Sequence, residues 1–238
     1  MTTSVWVEAT VRALQPLADP ARAAPMAAYM KGIAPFLGIG TPDRRKALRV
    51  AWKGLPAPSE STLVNASTAL WNMEEREYQY AACDLLARHS RLLSSAFVAT
   101  PTQDLLTTKP WWDTVDSLGS AVVSPVVARD RALVELMWAW LDSGNTWLIR
   151  AAIQHQRGRG DQTNVPLLLR MCDRFAADRE FFIAKAIGWA LRDVTAWAPS
   201  SVQDFVDDHP DLSPVARREA IRGLARGIWS ARTTGSSW

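Results

Sequence analysis

Met73-Glu-Glu-Arg-Glu-Tyr-Gln-Tyr-Ala-Ala-Cys-Asp-Leu-Leu-Ala-Arg-His89 is a long amphipathic stretch, with Tyr80, Cys83, Leu86 and Ala87 at helical spacing. The segments on either side read the same way. Thr41-Pro42-Asp43 looks like an N-cap with proline in the first turn, leading into Arg44 to Trp52. Ser59-Glu-Ser-Thr62 opens another helix, Asp130 caps Arg131 to Leu141, Asn145 caps Thr146 to Gln156, and Ser213-Pro214 starts a last one. No run of alternating β-branched residues bounded by hairpin turns appears, so the chain is expected to be all-α. Proline and glycine breakers cut it into roughly a dozen helices. From Ser59 onward the helix pairs recur at about 35 to 45 residues, the period of HEAT-type repeats. Such pairs bury one face against their neighbours and leave a concave face for a ligand; an irregular α-bundle is the rival arrangement.

The 238 residues fit one domain, 1–238, with 230–238 expected as a flexible tail and Gln156–Gln162 as a loose linker. An apolar fraction of 48% with 21% charged excludes a wholly disordered chain. No apolar run is long enough for a membrane span, and the first residues lack a signal-peptide pattern, so a cytoplasmic protein is expected. Cys83 and Cys172 stand far apart in helical patterns, without partners for a disulfide or a zinc site, and read as core residues. His89, His155 and His209 have no metal-ligand spacing and read as surface residues. Nucleophile-elbow, P-loop and dinucleotide motifs are missing, and Gly38-Ile-Gly40 is a weak anion-site signal.

The formal charge of +3 neither demands nor forbids a nucleic acid, so a binding face has to come from local clustering. The 27 basic residues are mostly arginine, the better fork for phosphate. In Lys109-Pro-Trp-Trp-Asp-Thr-Val-Asp-Ser117, Pro110 is placed to start a helix on which Trp111, Val115 and Leu118 face the core. Trp112 and Asp116 then share another stripe, followed by the small Gly119 and Ser120. A tryptophan beside a carboxylate with room above it suits a site; a capping aspartate beside a half-buried tryptophan is the structural alternative. Lys185, Trp189 and Arg192 form a cation–aromatic–cation stripe at i, i+4, i+7, and Arg150, Gln154 and Arg157 repeat that spacing opposite an apolar face. Each is compatible with a plain solvated surface. Together, on successive helix pairs, they point to an anionic polymer.

These segments resemble the bacterial AlkD-type DNA glycosylases, a HEAT-like-repeat family that excises alkylated purines. The resemblance spans nearly the whole chain. It rests on Pro25-Met-Ala-Ala-Tyr-Met-Lys31, Phe36-Leu-Gly-Ile39 with Thr41-Pro-Asp-Arg-Arg45, Leu70-Trp71 with Glu75-Arg-Glu77, and Thr108-Lys-Pro-Trp-Trp-Asp-Thr-Val-Asp-Ser117. It continues through Asn145-Thr-Trp-Leu-Ile-Arg-Ala-Ala-Ile153, Glu180-Phe-Phe-Ile-Ala-Lys-Ala-Ile-Gly-Trp-Ala-Leu-Arg192 and Leu212-Ser-Pro with Arg218-Glu-Ala220. By this resemblance the fold is a solenoid of antiparallel helix pairs with a concave DNA-binding face. Asp116 is the catalytic carboxylate, Trp112 and Trp189 line the deoxyribose, Arg150 and Arg192 contact the DNA backbone, and Tyr29 lies near the duplex.

The implied activity is monofunctional hydrolysis of the N-glycosidic bond of N3- or N7-alkylated purines, such as 3-methyladenine and 7-methylguanine. The implied enzyme works as a monomer on double-stranded DNA, without base flipping, metal or cofactor, and without a Schiff base from Lys109. A non-catalytic HEAT-repeat protein that binds DNA damage is the alternative. Two departures concern substrate range. Gly40 replaces a frequent glutamine, and the basic residues of Gln154-His-Gln-Arg-Gly158 are shifted relative to a family lysine. If Gly40 widens the gap beside the duplex, bulky N3-adenine adducts of DNA-alkylating antibiotics become candidate substrates, and self-resistance a candidate role.

Overall fold

The structure is a computed structural model that describes residues 5–234. Every regular element among them is helical. In chain order they are α1 (Val5–Leu14), α2 (Pro20–Tyr29), α3 (Thr41–Ala51), α4 (Glu60–Asn72), α5 (Arg76–Arg88), the short α6 (Ser95–Phe97) and α7 (Gln103–Thr107), and α8 (Trp112–Leu118). Then come α9 (Ser124–Arg129), α10 (Leu133–Leu141), α11 (Thr146–Ile153), α12 (Val165–Asp173), α13 (Phe181–Val194), α14 (Pro199–Asp208) and α15 (Pro214–Thr234). Of the tail expected from residue 230, the backbone to 234 belongs to α15, and residues 235–238 lie outside the described residues. The contacts group the chain into two compact units, one up to Val122 and one from Val123 onward.

Successive helix pairs begin at residues 60, 95, 133, 165 and 199, spacings of 35, 38, 32 and 34. The repeat expected from the breakers is there, slightly shorter than the anticipated period. Side chains also bond across one repeat length. Arg76 reaches Asp113, and Arg44 reaches Asp84, in the first unit. Arg174 reaches Asp142, and His209 reaches Asp173, in the second. Equivalent positions of neighbouring pairs face each other, so a polar side chain at one spans to the next.

In the first unit α4 packs along α5, and α1 against α3. Leu63, Ala66, Leu70, Ala81, Ala82, Leu85 and Leu86 interlock with no exposure above 1%. Ala87 of the quoted stretch faces outward; the buried stripe continues through Leu85 and Leu86. Trp6 packs on Trp52 and takes the edge of His89, while Trp52 Nε1 donates to Thr10. The second unit is built on α13, which packs against both α11 and α15. Cys83 and Cys172 are both buried, as expected.

Helix starts follow the caps in most places. Ser59 accepts from the Thr62 amide, and Asn145 from the amides of Trp147 and Leu148. Others differ. Gly40, not Thr41, is the residue before α3. Asp130 closes a turn by accepting from the Ala132 amide, and α10 begins only at Leu133. Pro110 does not start a helix, because Trp111 is extended (φ −158°, ψ 161°) and α8 begins at Trp112. α11 stops at Ile153, three residues early, and the chain turns through Gln154–Gly158.

Candidate active site

In the first unit, α8 carries Trp112 and Asp116 one turn apart, both half-buried, with Val115 and Leu118 pointing into the core. Its position is set by Asp113. The Arg76 guanidinium, 1% exposed, binds that carboxylate through Nη2 at 2.6 Å and Nε at 3.2 Å, and the Tyr80 hydroxyl donates to it at 2.5 Å. Arg76 also donates to Thr114 Oγ1 and to the Lys109 carbonyl. Burial raises the Tyr80 pKa, helped by the Asp113 charge, so the phenol stays a donor. Removing one partner of such a buried fork costs about 3–5 kcal/mol, so α8 is rigidly held. Lys109, at φ 49°, turns its ammonium onto the carbonyls of Asn72 and Met73 at the end of α4, which occupies it structurally.

Trp112 and Asp113 line one side of a cleft of about 500 Å³, with Tyr29, Met26 and Phe36 among the residues around it. Tyr29 is 73% exposed, which leaves its ring open to stacking. Tyr80, under the Arg44 guanidinium at 4.8 Å, also lines the cleft. Cys83 borders it too, but burial pushes its thiol up to about 12, so it is no nucleophile near neutral pH. Beside it, the weak anion signal of Gly38-Ile-Gly40 has an internal answer. The amides of Leu37, Gly38 and Ile39 donate to the buried Glu77 carboxylate at 2.9–3.0 Å. At Gly40 the missing side chain leaves no gap. A Cβ there would meet the Arg22 guanidinium at 2.7 Å, and Arg22 pairs with Asp43.

In the second unit Trp189 is half-buried on α13 with three cations around its ring. Arg157 lies 5.1 Å from the ring centroid, Arg150 5.2 Å and the Lys185 ammonium 5.9 Å. The expected stripe of Arg150, Gln154 and Arg157 is not a solvated helix face. Arg150 is 1% exposed and donates to the Phe182 carbonyl at 2.7 Å, and Gln154 is 5% exposed beyond the helix end. Arg150 therefore supports Trp189 from within, and neither it nor Gln154 presents a free surface to a phosphate. Arg157 is exposed and accepts no such limit; its Nη1 donates to Gln154 Oε1 at 3.1 Å.

Lys185 and Arg192 share one partner that the sequence reading passed over, Glu219 of α15. An acidic residue in the arginine-rich Arg217-Arg218-Glu219-Ala220-Ile221-Arg222 was the signal available. Gln156–Gln162 is likewise a built turn and not a loose linker. Gln156 exchanges two hydrogen bonds with the Asn164 backbone, and Arg159 donates to the carbonyls of Ser124 and His155. His155 is fully buried, which corrects the surface reading.

In the first unit an indole beside a carboxylate suits positive charge that develops at one centre, and in the second an indole among cations suits an anionic backbone. Comparison with known proteins bears on the substrate. Residues 10–224 match the family described as DNA alkylation repair enzyme. The chain is similar to a solved structure described as a predicted DNA alkylation repair enzyme from Enterococcus faecalis. They share 32% identity over 87% of this chain and 97% of that one, with a TM-score of 0.78. No curated protein matches the chain.

Proposed function

The chain belongs to the family of DNA alkylation repair enzymes, and we propose that within it the protein is a monofunctional, AlkD-type DNA glycosylase acting as a monomer on duplex DNA. The observation that carries this reading is the placement of Trp112 and Asp116 on successive turns of a helix locked by the Arg76–Asp113 fork. Alkylation at N3 or N7 puts a positive charge on the purine, as in 3-methyladenine and 7-methylguanine. The C1′–N bond then breaks with its electron pair passing to the base, which leaves neutral and needs no acid. Positive charge develops on the sugar instead. The Asp116 carboxylate and the negative face of the Trp112 indole stabilise it, and a water that adds to C1′ gives up its proton on Asp116's side. In the second unit Trp189 offers its face to a deoxyribose, and the exposed Arg157 takes a flanking phosphate. This chemistry asks nothing of a metal or a Schiff base, and contacts to the sugar alone leave the base no need to flip.

Bulky N3-adenine adducts, including those of DNA-alkylating antibiotics, extend the proposed substrate range, and self-resistance is the role that would follow. The support is the cleft beside Trp112 and Tyr29, which has room for an aromatic appendage. It is not Gly40, whose space Arg22 fills. Release of a bulky adduct should fall more than release of 3-methyladenine when Tyr29→Ala removes one wall; equal losses would leave the cleft without that function.

The deciding experiment measures 3-methyladenine and 7-methylguanine released from methylated duplex DNA by the wild type and by Asp116→Asn. Loss of excision by about a hundred-fold or more, with DNA affinity retained, is expected. Undiminished excision would overturn the assigned role. A wild type that binds the duplex without releasing any base would be the non-catalytic damage binder.

A further inference from the structure

Beyond the expected Lys185–Arg192 stripe, we propose that Glu219 and Arg222 of α15 complete it as a phosphate clamp for the DNA backbone, with Arg222 as a further phosphate ligand and Glu219 as the residue that positions all three cations; this rests on the reading of duplex DNA as the substrate. The clamp originates in how closely α13 and α15 cross. At Gly188 an added Cβ would stand 2.8 Å from Glu219 Cβ and 3.0 Å from Ala216 Cα; at Gly223 it would stand 2.7 Å from Thr195 Oγ1. Gly188 thus lets the helices meet backbone to backbone, Gly223 makes room for the Thr195 side chain, and Glu219 is sealed between them at 3% exposure. A carboxylate there must be paired. Its Oε1 accepts from Lys185 Nζ at 3.0 Å and from Arg222 Nη1 at 3.3 Å, and its Oε2 from Arg192 Nη1 at 2.6 Å. Burial alone would raise the Glu219 pKa, but the Lys185 hydrogen bond and the charges of Lys185, Arg192 and Arg222 outweigh it and hold the group ionised.

One cation would neutralise one buried carboxylate. Here three surround it, and among the described residues none of the three has another ion-pair partner, so two positive charges are left over. They are not sealed in. Lys185 is 27%, Arg192 35% and Arg222 59% exposed along their side chains. Each spends a single N–H donor on Glu219, so most of both arginine forks and two of the ammonium protons remain for an anion. A phosphodiester, with two charged oxygens and no proton to give, matches that donor set. Lys185 also lies 5.9 Å from the Trp189 ring, which places the bound phosphate beside the indole assigned to a deoxyribose. Arg222 is then a phosphate ligand and Glu219 a positioning residue that holds the cations at fixed spacing.

Binding of unmodified duplex DNA, followed by fluorescence anisotropy over a salt series, tests the clamp without requiring excision. Arg222→Gln removes an exposed side chain and should leave the melting temperature unchanged. It should reduce the slope of log K against log salt by about 0.9, the share of one phosphate. Glu219→Gln makes the protein more positive by one charge, so long-range electrostatics alone would tighten DNA binding. The clamp requires the opposite, a weakening of roughly tenfold, because the cations lose their common anchor. Should Glu219→Gln fail to fold, Arg222→Gln decides alone. A folded Arg222→Gln with unaltered slope and affinity would overturn the proposal, as would tighter binding by a folded Glu219→Gln. Normal excision of alkylated purines alongside either result would leave the glycosylase reading standing; a clamp that behaves as stated in a protein that excises nothing would sink that reading alone.

Discussion

His155 has no solvent exposure, donates from Nδ1 to the Ala152 carbonyl at 2.7 Å, and keeps Nε2 buried without a hydrogen-bond partner. Burial pushes its pKa down to about 4; the Ala152 bond opposes the shift and the Arg159 charge adds to it. Protonation therefore begins in the unfolded chain near 6.5 while the folded chain still resists it. Stability falls as pH drops from about 6.5 to about 4 and levels off below, a loss on the order of 3 kcal/mol from this one residue. Urea unfolding at pH 7 and pH 4.5 should show a smaller acid loss in His155→Gln than in the wild type; equal losses would mean the ring is solvated after all. His209 runs the other way. Its bonds to Asp173 and to the Phe205 carbonyl outweigh burial and raise its pKa, so its contribution is present below the unfolded value and fades as pH rises through the folded one. Both histidines are polar letters in helical or turn segments, and nothing in their spacing distinguishes the buried one. The same blindness misplaced Arg150, since periodicity cannot tell a polar side chain facing water from one facing a buried carbonyl such as that of Phe182.

Elements were legible where a cap states its own chemistry, at Ser59, Asn145 and Ser213-Pro214, and illegible where tertiary contacts decide. Pro110 is compatible with a helix start, but the chain before α8 must stay extended for the Lys109 carbonyl to meet Arg76. The stripe of Trp112 and Asp116 survived that change because a helix boundary moved by two residues leaves the phase intact. The partner of the Lys185 and Arg192 stripe lies 34 and 27 residues on, in α15; the lone acid among the arginines of 217–222 marks it, but spacing alone does not say which cations it joins. The crossing of α13 and α15 gives the element-scale prediction. Alanine in place of glycine inside a helix ordinarily stabilises by about 1 kcal/mol. At Gly188 the new methyl has the Ala216 backbone 3.0 Å away, so Gly188→Ala should destabilise by about 1–3 kcal/mol in chemical denaturation. Gly119→Ala, where a Cβ meets nothing within 4 Å, should not. If both variants were equally stable, the close approach that buries Glu219 would be in error.

Over the whole molecule the repeat is what the breakers could predict, since a spacing of 32 to 38 residues between helix pairs is written in proline and glycine positions. Charge is the property they could not predict. A formal +3 over 238 residues generates little long-range attraction for a polyanion, so affinity for DNA has to arise from contacts made at short range. The exposed cation at Trp189, Arg157, and the three around Glu219 are placed to make them. Arg157 and the two charges left over around Glu219 neutralise two to three phosphates, which at about 0.9 each imply a slope of roughly −2 to −3 in log K against log salt for the wild-type protein on duplex DNA. Steepness of that order in a nearly neutral protein would show that a few fixed cations do the binding. A slope near zero would instead fit a helical-repeat scaffold for protein partners, and would remove DNA contact by these four residues together with everything assigned to them.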